Sequence, residues 1–364
     1  MNAARRMGNR NGWRGLDATR LRERIGTREG MPSTRGRAGR SHVAAGVAAV
    51  LAVVAQPIAP AAAQGPAAWP QRPVRMLVGL PPGGTTDLMA RASAMRLSDG
   101  LGQPVIVDNR PGASGAIAGE LVARATPDGY TLATVTTSTH AVAPLLLAKP
   151  RFDAQRDFTH ITIVGNAPYL LLAPANFPAK TLREGVDWLR SQSGKLNYAS
   201  SGTGTLGHLI TEAMLGELKV RMTHVPFKGA GPVYPELMAD RVTLFFDNPG
   251  ASTSLVRAGK VRALAVSRPL PALPGVPTLI DAGLKGFDPV FWYGVVGPAG
   301  LPSTVVERVR AELVRGFGTE AGRGDLAGFG VEPVLSTPAE FTAQTRADIE
   351  RWGRVARALD LRQD

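Results

Sequence analysis

The sequence contains no cysteine. That excludes disulfides, thiolate metal sites, a thiol nucleophile and the acylated cysteine of a lipoprotein. Histidine is scarce as well: His42, His140, His160, His208 and His224 are the five, and none stands three or four residues from another. A metal site would have to be assembled from distant parts of the chain. No basic run interleaved with aromatics follows residue 64, so the footprint of a nucleic-acid-binding protein is missing. The motifs G-x-S-x-G, G-x-x-x-x-G-K-[ST] and H-E-x-x-H do not occur, which removes the common hydrolase, P-loop and zinc-protease signatures. No repeat recurs at periods of 20 to 50 residues. A long apolar span is lacking too: the uninterrupted apolar part, residues 43–55, falls short of the roughly 20 residues a membrane-crossing helix needs.

What is present begins with arginine. The first forty residues hold eleven arginines, no lysine, and only Asp17, Glu23 and Glu29 as acids. VAAGVAAVLAVVAQPIAPAAAQG follows, ending in small residues around Ala61 to Ala63. A basic segment, an apolar run and an A-x-A-like end spell a secretory signal peptide, so residues 1–63 are expected to be targeting sequence cleaved after Ala63. MPSTRGRAGRSHVAAGV, from Met31, has the compact basic start such a signal normally shows, and translation is expected to begin there. The pair Arg5-Arg6 lies too far from the apolar run for a twin-arginine signal. Removing residues 1–64 leaves 31 basic against 26 acidic residues, so the formal charge of +13 falls to about +5. An exported, unanchored chain is expected in the periplasm, soluble after cleavage.

At 364 residues, a targeting segment plus two α/β domains is the natural organisation. From Pro73 onward short β-like runs alternate with helical ones. Strands are expected from Val74, Pro104, Tyr130, Phe158, Tyr169, Leu196, Met222, Val242, Val261 and Pro289. Helices are expected over 86–101, 114–124, 182–191, 205–218, 232–238, 252–258, 303–317 and 338–359. Gly259 suits a helix C-cap, and Thr337, Pro338 and Glu340 spell a capping box for the last helix. RPLPALPGVPTL, from Arg268, is too apolar for a free linker and reads as an ordered loop.

Five stretches share a design: LVGL-PPGGTTD, TVTT-STHA, YAS-SGTGTLGH, VPF-KGAGP and FFD-NPGAS each leave a predicted strand and enter a predicted helix. Ligands of open α/β sheets bind at the carboxyl ends of strands. Helix N-termini there offer unpaired N–H groups and partial positive charge. Glycine, serine and threonine are also ordinary at such turns, for caps and tight bends; five together favour capture of a small anion. Gly202, Gly204 and Gly207 spell the dinucleotide fingerprint G-x-G-x-x-G. The acid expected about 20 residues later is absent, which argues against a dinucleotide. His140 and His208 lie in corners and are candidates to touch ligand, whereas His160 and His224 read as core or surface histidines.

As a linked set, WPQRPVRMLVGLPPGGTTDLMAR, LGQPVIVDNRPGASGAIAGELVARATPDGYTL, GKLNYASSGTGTLGHL, HVPFKGAGPVYPELMADRVTLFFDN and AGKVRALAVS resemble the Bug-type (TctC-like) periplasmic receptors of tripartite tricarboxylate transporters. With LPGVPTLIDAGLKGF and TPAEFTAQTRADIERWGRV, the resemblance runs from about Trp69 to Leu361. It implies a two-lobed periplasmic-binding-protein type II fold of α/β lobes with the ligand between them. Lobe one would comprise residues 65–167 and 291–364, and lobe two 168–290. The resemblance also carries a site: Gly83, Gly84, Thr85 and Asp87 on the first corner, with Ser138, Thr139 and His140 completing lobe one. Lobe two would offer Ser201, Gly202, Thr203 and His208, then Lys228, Gly229, Ala230, Asp247 and Asn248. Asp87 is expected to orient the loop or a water, or to meet an amine or amide of the ligand. Lys228 suits a distal carboxylate, although a lone lysine at a strand end is commonly a solvated charge. GGTTD stands where many relatives have GGGTD, so Thr85 fills space that a third glycine leaves open.

The resemblance implies a non-catalytic receptor, without cofactor or metal, for a small, carboxylated organic molecule. Its implied partners are the membrane subunits of a tripartite transporter, with the receptor a monomer. A ligand sensor acting on a membrane signalling partner, and an exported enzyme using the same cleft, are the alternatives.

Overall fold

The computed structural model describes residues 69–285, 287–358 and 361; the expected signal peptide, its cleavage site and the Met31 start lie outside them. The chain opens on β1 (Val74–Val78), buried at all positions but Arg75. It continues through α1 (Thr85–Leu101), β2 (Val105–Asn109), a short 3-10 turn (Ala113–Gly115), α2 (Ala116–Ala123) and β3 (Thr131–Thr136). A π-helical turn (Thr137–Val142) leads to α3 (Ala143–Leu146) and the long β4 (Phe158–Pro168). Then come β5 (Leu170–Pro174), α4 (Leu182–Ser191), β6 (Leu196–Ser200), α5 (Leu206–Leu218), β7 (Met222–Pro226), α6 (Val233–Met238), β8 (Leu244–Asp247), α7 (Pro249–Arg257) and β9 (Val261–Val266). The last part holds β10 (Val290–Pro298), α8 (Ser303–Gly318), α9 (Glu320–Gly328), β11 (Glu332–Pro333) and α10 (Pro338–Ala358).

These strands form two sheets, each the centre of a lobe. The first has the order β11-β4-β10-β3-β1-β2 and the second β7-β6-β8-β5-β9. In the first, β1 pairs in parallel with β2 and β3, while β10 runs antiparallel to β3 and β4. In the second, β6 pairs in parallel with β7 and β8, and β5 runs antiparallel to β8 and β9. Helices cover both faces, so strands bury both side-chain rows and read as nearly continuous apolar runs. In β5, Leu171 and Ala173 enter one core while Leu170 and Leu172 enter another.

The chain passes between the sheets twice. Tyr169 alone separates β4 of the first sheet from β5 of the second, and the return ends where β10 begins at Val290. Tyr169 is tied to the second lobe by its N–H donating to Ser267 Oγ at 2.9 Å and its carbonyl accepting from Ser267 N at 2.8 Å.

All ten expected strands and eight expected helices form, with ends shifted by a few residues. The Thr337 capping box is present: Thr337 Oγ1 accepts Glu340 N at 3.2 Å, and Glu340 Oε2 accepts Thr337 N at 2.7 Å. Gly259 has φ of 66°, as its cap position requires. The structure adds α9, in a glycine-containing segment for which no element is expected. Thr319 starts it, its hydroxyl accepting Gly322 N at 3.0 Å, and buried Leu326 anchors it.

Candidate ligand-binding site

The first corner turns on two glycines. Gly83 has φ of +91°, a left-handed conformation that disfavours any side chain. Gly84 is the N-cap of α1, with φ of −83° and ψ of 167° and no side-chain cap. The first N–H groups of α1 therefore lack an intrahelical or capping partner and carry the positive end of the helix dipole.

Asp87 holds this corner in shape. Its Oδ2 accepts Gly83 N at 3.1 Å and Arg91 Nε at 2.9 Å, and its Oδ1 accepts Asn109 Nδ2 at 3.0 Å. The same Asn109 amide donates to the carbonyl of Leu80 at 3.0 Å. Burial alone pushes the carboxyl up, but the Arg91, Gly83 and Asn109 donors outweigh it and hold Asp87 below the usual aspartate value. Its oxygens are occupied by the protein, in the orienting arrangement.

A cavity of about 450 Å³ opens beside the corner. All five corners reach it: Gly83, Gly84 and Thr85; Ser138 and Thr139; Ser201; Lys228, Gly229 and Ala230; and Asp247 with Asn248. The two lobes approach closely here. A β-carbon on Gly229 would touch Pro81 at 3.9 Å, and one on Gly250 would overlap the Thr85 hydroxyl. The volume that Thr85 adds to the first corner is thus accommodated by a glycine on the opposite lobe.

Besides Asp87, which braces the corner without lining the cavity, four expected residues stand elsewhere. Gly202 and Thr203 line an adjoining groove of about 610 Å³, which shares Pro81, Ser114, Ser201 and Lys228 with the cavity. His208 lies under the glycine-rich corner: its Nδ1 accepts Gly204 N at 3.2 Å, and its ring stacks on His224 at 4.0 Å. His140 is fully buried among Phe152, Phe158 and Trp292, with its Nε2 3.3 Å from His160 Nε2. Burial and the neighbouring imidazole hold His140 well below the ordinary histidine value. It is a core residue of lobe one and does not line the cavity.

Charge inside the cavity is sparse. Lys228 is the single cation of the lining and is exposed; Asp247 is its single buried acid. Burial raises the Asp247 carboxyl to about 6, although Tyr234 Oη donates to its Oδ2 at 2.5 Å and the Asn248 N–H also supports the charge. The Asn248 Nδ2 is buried without a hydrogen-bond partner. Tyr169, Tyr234, Phe246 and Phe291 supply apolar wall, with Tyr169 and Phe291 packed edge-on at 5.5 Å. Sequence reasoning missed these four, although Tyr169 and Phe291 lie at the expected lobe boundaries, 167/168 and 290/291. Among the described residues, no cluster of three or more His, Asp or Glu side chains is placed to hold a metal.

The family model described as "Tripartite tricarboxylate transporter family receptor" matches residues 89–361. The chain belongs to this family. The match begins just past the first corner, so the reading of that corner rests on its geometry. Three solved structures resemble this family member over nearly their whole length. The periplasmic binding protein BugD is 29% identical with a TM-score of 0.76, covering 81% of this chain and 100% of its own. An R. palustris protein with adipate is 34% identical, with a TM-score of 0.77 and coverage of 80% and 99%. MatC from Rhodopseudomonas palustris, with bound malate, is 33% identical, with a TM-score of 0.74 and coverage of 79% and 99%. The receptor family and the BugD and MatC structures are those of binding proteins, and the type II two-lobed α/β architecture is the one this receptor shares.

Proposed function

We propose that this receptor captures a small organic acid between its lobes and delivers it to the membrane subunits of a tripartite transporter. The observation that carries the reading is the uncapped N-terminus of α1, braced by Asp87 and opening into the cavity between two sheets. Such a terminus favours an anion by about 0.3 to 1 kcal/mol and directs several N–H donors at one point. One carboxylate of the ligand is assigned to the N–H groups and hydroxyls of Gly84 to Thr86. Ser138, Ser201, Gly229, Ala230 and Asn248 face the rest of the molecule, and Lys228 stands at the mouth for a second carboxylate. Relatives with bound adipate and malate support a carboxylate of this size.

On this reading residues 65–167 and 291–364 form lobe one and 168–290 lobe two, and the hinge lies at Tyr169 and Phe291. A ligand touching both lobes selects the closed state. The mature receptor works in the periplasm as a monomer; no helix of the described residues is long and apolar enough to cross a membrane.

Thermal unfolding of the chain from Gln64 onward tests the proposal, against mono-, di- and tricarboxylates, amino acids, amides and aromatic acids. A ligand at 100 times its Kd adds about 2.7 kcal/mol, which raises Tm by several degrees. One responding class of acids, recovered unchanged, is the expected result. A response confined to uncharged compounds, or turnover of the ligand, would overturn it.

A further inference from the structure

The glycine-rich corner after β6 carries the sequence's strongest motif, yet Gly202, Thr203 and His208 do not line the cavity. Two hydrogen bonds account for it. Ser114 Oγ, in the lobe of the first sheet, donates to the carbonyl of Thr203 at 2.5 Å. The N–H of Leu206, at the start of α5, donates to Ser138 Oγ at 2.6 Å. The free end of α5 is therefore occupied by a side chain of the opposite lobe, where the fingerprint would place a phosphate.

Both sides of this contact are held in shape. Ser114 has φ of 53° and its neighbour Ala113 φ of 45°, left-handed conformations that side chains rarely adopt. Such conformations persist where the surroundings impose them, commonly in switches and clamps. Across the gap, Gly202 N donates to Ser200 Oγ at 3.2 Å, Ser200 Oγ meets His224 Nε2 at 2.7 Å, and His208 Nδ1 fixes Gly204.

We propose that the corner 200–206 is a clasp between the lobes: Ser114 and Ser138 hold it closed and set how much receptor is closed before any ligand arrives. The clasp rests on the receptor reading and adds a control on it, because affinity scales with the fraction of molecules already in the binding-competent state. Ser138 and Ser114 are positioning residues in this account.

The test needs no ligand. Because the chain has no cysteine, Leu121→Cys on α2 and Met238→Cys on α6, at positions 44% and 41% exposed, give two unique spin-label sites, one per lobe. Pulsed dipolar spectroscopy of the ligand-free mature chain is expected to show a closed population. In Ser114→Ala/Ser138→Ala the closed-to-open ratio is expected to fall about fivefold or more, whereas Ser138→Thr, which keeps the hydroxyl, retains it. An unchanged ratio in the double variant, a wild type with no closed population, or equal opening in Ser138→Thr would each overturn the clasp. Silence of the acid panel would count against the receptor reading and leave these distances as decisive as before.

Discussion

Gly84 leaves open space where a side chain would point: a β-carbon built there meets no atom within 4 Å. Gly84→Val is therefore expected to fold normally and to fill the anion position in front of α1. Affinity for the responding acid should fall by about 100-fold or more, a loss of roughly 2.7 kcal/mol. Calorimetric titration checks it, and unchanged affinity would remove the first corner from the site. Asp247 makes a different prediction. Its carboxyl, raised to about 6 by burial, gives stability that is complete below the unfolded value near 3.9 and is lost as pH rises through 6. Relative to Asp247→Asn, the wild type should lose up to about 3 kcal/mol between pH 4 and pH 8. Urea unfolding of both proteins reads this, and a difference that does not change with pH would contradict it. Gly250 gives a third. Gly250→Ala presses a methyl group into the Thr85 hydroxyl and is expected to weaken closure while each lobe keeps its stability.

At the scale of elements, the two histidine pairs set the acid response. His160, His208 and His224 are each held near 4 by burial. Depressed histidines give stability that is full above about 6.5 and is lost as pH falls toward the folded value, so Tm should drop between pH 6.5 and pH 4. His208→Gln should flatten that drop, and a Tm independent of pH over this range would contradict the assignment. The strands and most helices were legible because their signals are local: leucine- and valine-rich runs between turn residues, a glycine C-cap after α7, a capping box before α10. The corner TVTT-STHA was legible as a strand leading into a helix, but its π form was not; the Thr136 and Thr139 hydroxyls bend the chain there by reciprocal capping bonds of 3.1 Å. The five corners were legible as strand-to-helix turns for the same local reason, and the fold brings all five to one cavity. The fate of each was not, because whether α5 offers its N–H groups to a ligand or to Ser138 is settled by a residue 68 positions away. His140 illustrates the same limit: its corner position pointed to the cleft, and the aromatic cluster that buries it comes from β4, the segment before it and β10.

At the scale of the molecule, the chain's two crossings put Tyr169 and Phe291 at the floor of the cavity and the five corners around its rim. Neither lobe encloses the cavity alone: its lining comes from the corners after β1 and β8 at once. Closure then unites three features: an anion position on α1, a wall of aromatic side chains, and a seam of hydrogen bonds along the glycine-rich corner. The central claim is that a small acid is held by the α1 N-terminus between the lobes. A crystal structure of the mature chain with the acid that raises its Tm most tests this directly. The account predicts a carboxylate oxygen within hydrogen-bonding distance of the Gly84 to Thr86 N–H groups, with the other end against Ser201 to Asn248; a carboxylate bound away from α1, or outside the cleft, would contradict it.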